Sequence, residues 1–453
     1  DVDGCWITLD DTQVQPLNIA PLSQAAVVRV AAPLDVAAGE PFNATVVVTD
    51  RFANPIPYTG TVRLVAENPH ILQFDGEYTK SVQLNLQNPG FVRLTPQVQD
   101  PGIRRVVQWV KAWTGTPPHQ RLLGDIHAHT GDGGAQRKFL SSSSPGDHRG
   151  LFTSTQDALF YMEQIAGYDF AAISEHAVRQ DGYTLPASVA ADPVFAAGGA
   201  CDGVQRVITD LGNWWLTSQQ AAQDYEAGSS MVVFPAFEWH AQHYLEVHGN
   251  DSPLHRVVLY RDFDANNQLP MLPGEIEGIA PQCLVRFLQL AGYGPDRALL
   301  VPHMMNNWPS NTDWDLTYEQ GGPGELIADR AQVESYHRVG EIFSARANKP
   351  DLRGVQRLKA FEGEDQDPGR WSFRYGWRKH GAHLGIIGGS DDHAAMPGSD
   401  NTLLADGTSM QSNEPGGTTV VLSRTRDRNG IFDALRARSS YATSGVRVWH
   451  DFR

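Results

Sequence analysis

Five short apolar runs, each handing over to a residue able to ligate a metal, constrain this chain of 453 residues more than any other feature. Leu122-Leu123-Gly124-Asp125-Ile126 leads into His127-Ala128-His129, and Tyr168-Asp169-Phe170-Ala171-Ala172-Ile173-Ser174 leads into Glu175-His176. Met231-Val232-Val233-Phe234-Pro235-Ala236-Phe237 precedes Glu238-Trp239-His240, and Ala298-Leu299-Leu300-Val301-Pro302 precedes His303. Leu384-Gly385-Ile386-Ile387-Gly388-Gly389-Ser390 precedes Asp391-Asp392-His393. Continuous apolar runs of this length are the pattern of parallel strands buried on both faces. Helix-compatible segments separate them, so the expected fold is a (β/α) barrel, whose chemistry gathers at the C-terminal strand ends.

The region before residue 117 has a different texture. Of 16 histidines, only His70 lies there. Short alternating segments, such as Phe42-Asn43-Ala44-Thr45-Val46-Val47-Val48 and Thr61-Val62-Arg63-Leu64-Val65, are separated by turn signals such as Asn54-Pro55-Ile56-Pro57 and Asp100-Pro101-Gly102. That spacing, without a helical period, predicts a β-sandwich of immunoglobulin-like topology over residues 21–116. Residues 1–20 read as a lead-in segment, and Thr114-Gly115-Thr116-Pro117-Pro118 as the linker to a second domain at 119–453.

Composition narrows the function classes. Hydrophobic residues at 41% and charged residues at 19% are globular values. A net charge of −16 argues against a nucleic-acid partner, because polyanion binding is driven by clustered cations. No stretch approaches the ~18 consecutive apolar residues of a membrane helix. Cys5, Cys201 and Cys283 contain no Cys-x-x-Cys pairing, so a thiolate zinc site is not expected, and at most one disulfide can form. The sandwich, the few cysteines and a start at Asp1 rather than Met point to a periplasmic or extracellular protein.

The ligand menu is imidazole and carboxylate. Side chains alternate along extended backbone, so His127 and His129 project to one side, as do Asp391 and His393. His176, Glu238 and His303 extend the set, and His255 differs by preceding its apolar run, Val257-Val258-Leu259-Tyr260. Such donors suit Zn²⁺, Mn²⁺ or Fe²⁺, and their number exceeds the needs of one ion. Two or three divalent ions sharing bridging oxygens are expected.

These motifs resemble, in order, those of the polymerase and histidinol phosphatase (PHP) superfamily of metal-dependent phosphoesterases. Its His-x-His resembles His127-Ala128-His129, its Thr-Asp-His is similar to Ser174-Glu175-His176, and its Gly-x-Glu meets this chain at Glu238. Its His before a Leu-Gly-Tyr run resembles His255, its His-Pro-type motif resembles Pro302-His303, and Gly389 to His393 match its Gly-Ser-Asp-x-His. The tail Tyr441-Ala442-Thr443-Ser444-Gly445 is similar to the ending of an uncharacterised branch that carries a β-sandwich before the barrel. The resemblance covers roughly residues 120–453 and implies a distorted TIM-like barrel. The family's acidic ligand after His-x-His is met by Asp132 at a shortened spacing, with His148 as the alternative.

The expected activity is phosphoester hydrolysis, with Asp391 as both ligand and proton acceptor and with a hydroxide bridging the ions as nucleophile. Arg179, Asn306 and Tyr441 are the candidate substrate contacts, and a small-molecule or glycan-linked ester the expected substrate. The same ligands would serve an amide or carboxyl-ester hydrolase, or a non-catalytic metal-bound binding protein. Residues 177–230 and 305–350 read as long strand-end loops.

Overall fold

The structure, a computed structural model, describes residues 24–51, 53–130, 154–177, 185–201, 214–241, 254–264, 269–272, 280–303, 314–318, 328–343, 372–392, 397–398, 417–443 and 449–450. The lead-in expected at residues 1–20 lies outside them, as does Cys5.

The first nine strands are β1 (Val27–Ala31), β2 (Asp35–Ala37), β3 (Pro41–Thr49), β4 (Thr59–Val65), β5 (Pro69–Asp75), β6 (Thr79–Asn85), β7 (Gly90–Gln97), β8 (Arg104–Val106) and β9 (Gln108–Trp113). They form a four-stranded sheet, β6-β3-β1-β8, and a five-stranded sheet, β2-β9-β7-β4-β5. Alternate residues of both sheets, among them Val28, Val46, Leu64, Phe74, Leu94 and Val110, fill one buried apolar layer. Residues between them along each strand face outward, which is the period-two division of a half-buried strand.

The next strands are β10 (Gln120–Asp125), β11 (Phe170–Ile173), β12 (Val232–Ala241), β13 (Leu254–Tyr260), β14 (Ala298–Pro302), β15 (Val339–Phe343), β16 (Gly385–Gly388), β17 (Thr418–Ser423) and β18 (Ser440–Thr443). Seven of them build one mixed sheet in the order β14-β13-β12-β11-β10-β17-β18, and β15 pairs with β16 in a separate two-stranded sheet. Leu122, Val257, Val339, Ile387, Val421 and Leu435 pack these layers into a common core. Among the described residues, no helix is long and apolar enough to cross a membrane.

This corrects the expected (β/α) barrel. Strands β10, β11 and β12 are parallel, but β13 is antiparallel to both β12 and β14, and β17 is antiparallel to both β10 and β18. Predominantly β architecture with a mixed sheet replaces the all-parallel ring. The misreading has a physical cause: a strand covered on both faces is a continuous apolar run whichever way it points. All seven residues of β13 are buried, so its composition carries no sign of its direction.

The supposed loops at 177–230 and 305–350 also carry structure. Helices at Trp214–Ala227 and Arg330–Tyr336, and β15 itself, fall within them. Cys201 and Cys283 are joined in a disulfide that ties the segment 185–201 to the helix Pro281–Leu290.

The two parts of the chain meet at a buried ion pair. Arg121 Nη1 lies 2.9 Å from Asp35 Oδ1, and the Arg121 backbone N–H donates to Asp35 Oδ2 at 2.8 Å. The Arg121 guanidinium stacks 3.9 Å from the centroid of Trp449, and Trp113 Nε1 also donates to Asp35. A second contact between the two parts is Tyr161, which donates to the Ala53 carbonyl at 2.9 Å.

Candidate metal centre

Strand direction gathers the site. β10, β11, β12 and β14 share one direction, so residues at or beyond their C-terminal ends collect along one edge of the sheet. β13 runs the other way and brings its beginning to that edge. This is why His255 precedes its apolar run while the other ligands follow theirs. The inverted order in the sequence was the trace of an antiparallel strand.

Glu238 is the centre of the cluster. Its Oε2 lies 3.4 Å from His127 Nε2, 3.1 Å from His129 Nε2 and 3.4 Å from His176 Nδ1. Its Oε1 lies 2.9 Å from His303 Nε2 and is hydrogen-bonded to His255 Nδ1. Asp391 Oδ1 is 3.5 Å from the Nε2 atoms of both His127 and His129. Two ligand groups result, His127-His129-Glu238-Asp391 and Glu238-His255-His303, each with donor atoms within 4.8 Å of one another and all buried. They share Glu238.

Backbone hydrogen bonds lock these donors in place. Glu238 N–H donates to Glu175 O, and Ala177 N–H donates to Glu238 O, which carries the β11–β12 pairing outward to the ligands. Asp391 N–H donates to His127 O, and His129 N–H donates to Asp392 O, so the turn after β16 is laced to the extension of β10. Asp391 sits at φ +51°, in the left-handed region where Asp and Asn are enriched among non-glycine residues. Asp125, buried at the end of β10, accepts from the backbone of His127 and Ser390, and burial pushes its carboxyl up to about 7.

Two carboxylates outside the expected ligand set hold the His-x-His pair from behind. His127 Nδ1 is 2.8 Å from Glu341 Oε2, and His129 Nδ1 is 3.8 Å from Glu175 Oε2. Glu175 is itself fixed by the backbone N–H and hydroxyl of Thr130, each 2.5 Å from its Oε1. With Nδ1 of His127 hydrogen-bonded to Glu341 and that of His129 turned toward Glu175, the Nε2 atoms of both rings face Glu238 and Asp391. A carboxylate behind a ligating imidazole sets its tautomer and raises its basicity. Gly389 makes this arrangement possible: a Cβ there would lie 2.2 Å from Glu341 Oε2 and 2.9 Å from His127 Cβ.

The electrostatics of the cluster favour a cation. Burial alone would raise Glu238, yet the imidazoles of His176, His303, His255 and His127 hold it well below the usual carboxylate range. Burial alone would lower His127, yet Glu341, Asp391 and Glu238 keep it well above its ordinary value. His129 is raised in the same way by Asp391, Glu175 and Glu238. Buried imidazoles facing buried carboxylates require either protons or a metal to balance them. Four imidazoles and two carboxylates in two overlapping groups, with His176 beside them, form a donor set able to bind metal ions.

Of the expected site residues, the structure brings together His127, His129, His176, Glu238, His255, His303 and Asp391. Asp132, His148, His393, Arg179 and Asn306 lie outside the described residues. Tyr441 is placed among apolar side chains of the core with Leu34 and Leu123, its ring 6.1 Å from that of His450, and burial pushes its phenol up to about 12. Glu341 was missed. Its signal was a single carboxylate in Val339-Gly340-Glu341-Ile342-Phe343, an apolar run hidden in a segment read as loop.

Comparison with known proteins adds little about function. A family model described as "Protein of unknown function (DUF3604)" matches residues 383–452, the stretch containing Asp391 and the Tyr441 tail. No curated protein matches the chain. Among solved structures, a superoxide reductase (neelaredoxin) from Ignicoccus hospitalis is 18% identical with a TM-score of 0.16, covering 20% of this chain and 83% of its own. The CARDB domain of a Pyrococcus furiosus protein in complex with di-metal ions is 12% identical with a TM-score of 0.16, covering 20% of this chain and 97% of its own. A Paenibacillus cycloisomaltooligosaccharide glucanotransferase is 14% identical with a TM-score of 0.22, covering 55% of this chain and 33% of its own. Likenesses this remote carry no argument about activity.

Proposed function

We propose that the chain is a metal-dependent hydrolase of phosphoesters that uses a pair of divalent transition-metal ions, Zn²⁺, Mn²⁺ or Fe²⁺. One observation carries the reading: the two oxygens of Glu238 face two separate sets of imidazoles, as a carboxylate shared between neighbouring ions would. The ordered motif resemblance to the PHP phosphoesterases supports the choice of bond, although its barrel is not carried over.

His127, His129 and Asp391 would hold one ion, and His255 and His303 the other, with Glu238 common to both and His176 alongside. Bound divalent ions there would supply Lewis acidity toward phosphoryl oxygens and lower the pKa of a water toward neutrality. The chain's own residues then divide the remaining work. Asp391 Oδ accepts the proton that the attacking water gives up. Glu341 and Glu175 keep His127 and His129 oriented through the cycle. The Cys201–Cys283 disulfide supports action in the periplasm or outside the cell, where such bonds persist.

Elemental analysis of the purified chain, followed by turnover of p-nitrophenyl phosphate, bis(p-nitrophenyl) phosphate and p-nitrophenyl acetate, tests the reading. About two metal equivalents and phosphate-ester turnover are expected. Turnover of the acetate alone would move the chemistry to carboxyl esters. Bound metal with no turnover of any ester would make the protein a metal-bound binding protein.

A further inference from the structure

The outer face of the five-stranded sheet is built unlike an ordinary solvated surface. Strict alternation along β4, β5, β7 and β9 sends Val62, Leu64, Leu72, Phe74, Leu94 and Val110 inward. The residues between them face out, and these include Phe91 at 48% and Trp109 at 44% exposure. Phe91 meets the ring of Trp449 edge-on at 4.7 Å, whereas the exposure of Trp109 calls for an explanation, because a solvated sheet face is normally polar.

Cations are interleaved with the rings. In the β7–β9 register, Arg93 stands opposite Trp109 and Lys111 opposite Phe91. Lys111 Nζ lies 4.4 Å from the Phe91 centroid and 5.5 Å from that of Trp113. Arg63 on β4 adds a third positive charge next to Gln97 of β7. Among the described residues, none of these three cations forms an ion pair. The carboxylates of this face sit at its margins: Asp75 ends β5, and Asp35 is already engaged by Arg121. A cationic face on a chain of net charge −16 is a local feature, not a consequence of composition.

A ladder of neutral polar groups completes the platform. Thr61 donates to Gln73 at 2.7 Å, Arg63 to Gln97 at 3.4 Å, and Arg93 to Thr95 at 3.2 Å. The four strands span about 14 Å across, from three spacings of ~4.8 Å. We propose that this face binds an acidic polysaccharide. Flat aromatic rings suit the C–H faces of pyranose sugars, amide and hydroxyl groups suit their hydroxyls, and fixed guanidinium and ammonium groups suit carboxylate or sulfate substituents. Single-stranded nucleic acid would also stack on such rings, but the side-chain amides and hydroxyls of Thr61, Gln73 and Gln97 line the platform with groups suited to sugar hydroxyls rather than to a phosphate track. The surface is distinct from the metal cluster and independent of the reaction proposed there.

Native electrophoresis of the full chain through gels containing polygalacturonate, dextran sulfate or neutral dextran, at about 0.15 M salt where the Debye length is ~8 Å, tests the proposal. Retardation by one or both acidic polymers is expected, and the two gels separate carboxylate from sulfate recognition. Trp109→Ala and Arg93→Glu should each weaken it at least about fivefold, as for loss of a side chain that carries binding. Both positions are at the surface, so metal content and melting temperature should match the unmodified chain. Equal retardation in neutral dextran, or no retardation in any gel, would overturn the proposal. So would acidic-gel retardation unchanged in both variants, or stronger binding to single-stranded poly(U) than to either acidic polysaccharide.

Discussion

His127 Nδ1 donates to Glu341 Oε2 across 2.8 Å of buried interior, joining residues 214 positions apart. The pair links β15, through the ring, to the cluster around Glu238. It also relieves Glu341 of half its isolation, since its Oε1 has no hydrogen-bond partner among the described residues.

Replacing Glu341 by Gln should therefore weaken metal binding by about 10–100-fold, the usual range for a partner behind a ligating imidazole. Competition against a chromogenic chelator measures this directly. Stoichiometry at saturating metal should stay at the unmodified value, because the ligands themselves remain. A Glu341→Gln protein with unchanged affinity would reduce the contact to simple packing.

Asp391→Asn should separate chemistry from binding. Asn tolerates the left-handed backbone of this position and keeps one carbonyl oxygen for the ion. It cannot accept a proton, so turnover should fall by ~10²–10⁴-fold. Parallel metal analysis and kinetics check the outcome, and near-normal turnover would remove Asp391 from the proton path.

Glu238→Gln should lose at least one metal equivalent. It takes charge from the one group that both ligand sets share. Substituting His303 alone should cost less, because His255 and Glu238 remain for that ion. Elemental analysis of the two variants side by side is the measurement, and equal metal content would mean that Glu238 does not bridge.

Opening the Cys201–Cys283 disulfide, whose partners are 82 residues apart, should destabilise the chain by about 4–5 kcal/mol on the loop-entropy account. A Cys201→Ser, Cys283→Ser double variant should melt at a lower temperature than the oxidised parent. The difference should vanish when the parent is fully reduced.

His337 gives a pH signature away from the metal ligands. Burial and the neighbouring Arg256 lower its pKa to about 3, and its Nε2 accepts from Arg256 Nε at 3.1 Å. A histidine depressed in the fold contributes stability above its unfolded value of about 6.5, and that contribution is lost as pH falls toward 3. The stability advantage over His337→Gln, read from urea midpoints, should be greatest near pH 7 and shrink by pH 4. An advantage independent of pH would mean that the ring is not held neutral.

The candidate metal site was legible because its donor residues are attached to strands, and an apolar run ending in His or Glu survives translation into a sheet of any topology. His127, His129, His176, Glu238, His255, His303 and Asp391 converge although the sheet is mixed. Direction left a trace only in the placing of His255 before its run; burial did not mark it, since β13 and β14 are equally buried while running oppositely. Glu341 was hidden for another reason. Its partnership with His127 is fixed by tertiary packing at long range, and nothing near it in the chain marks it as part of a site.

The Asp35–Arg121 pair bears on any attempt to study the two halves apart. Each charge is hidden from solvent and compensated by a residue from the other side of the linker. Cutting the chain between Trp113 and Gln120 and separating the parts would leave a guanidinium on one fragment and a carboxylate on the other, each without the partner that faces it in the intact chain. Removing one partner of a buried pair within the intact chain costs ~3–5 kcal/mol, so Asp35→Ala would test the contact without cutting the chain. The β-rich front end is in this sense an intramolecular counterion, and its presence is part of the folding problem of everything behind it.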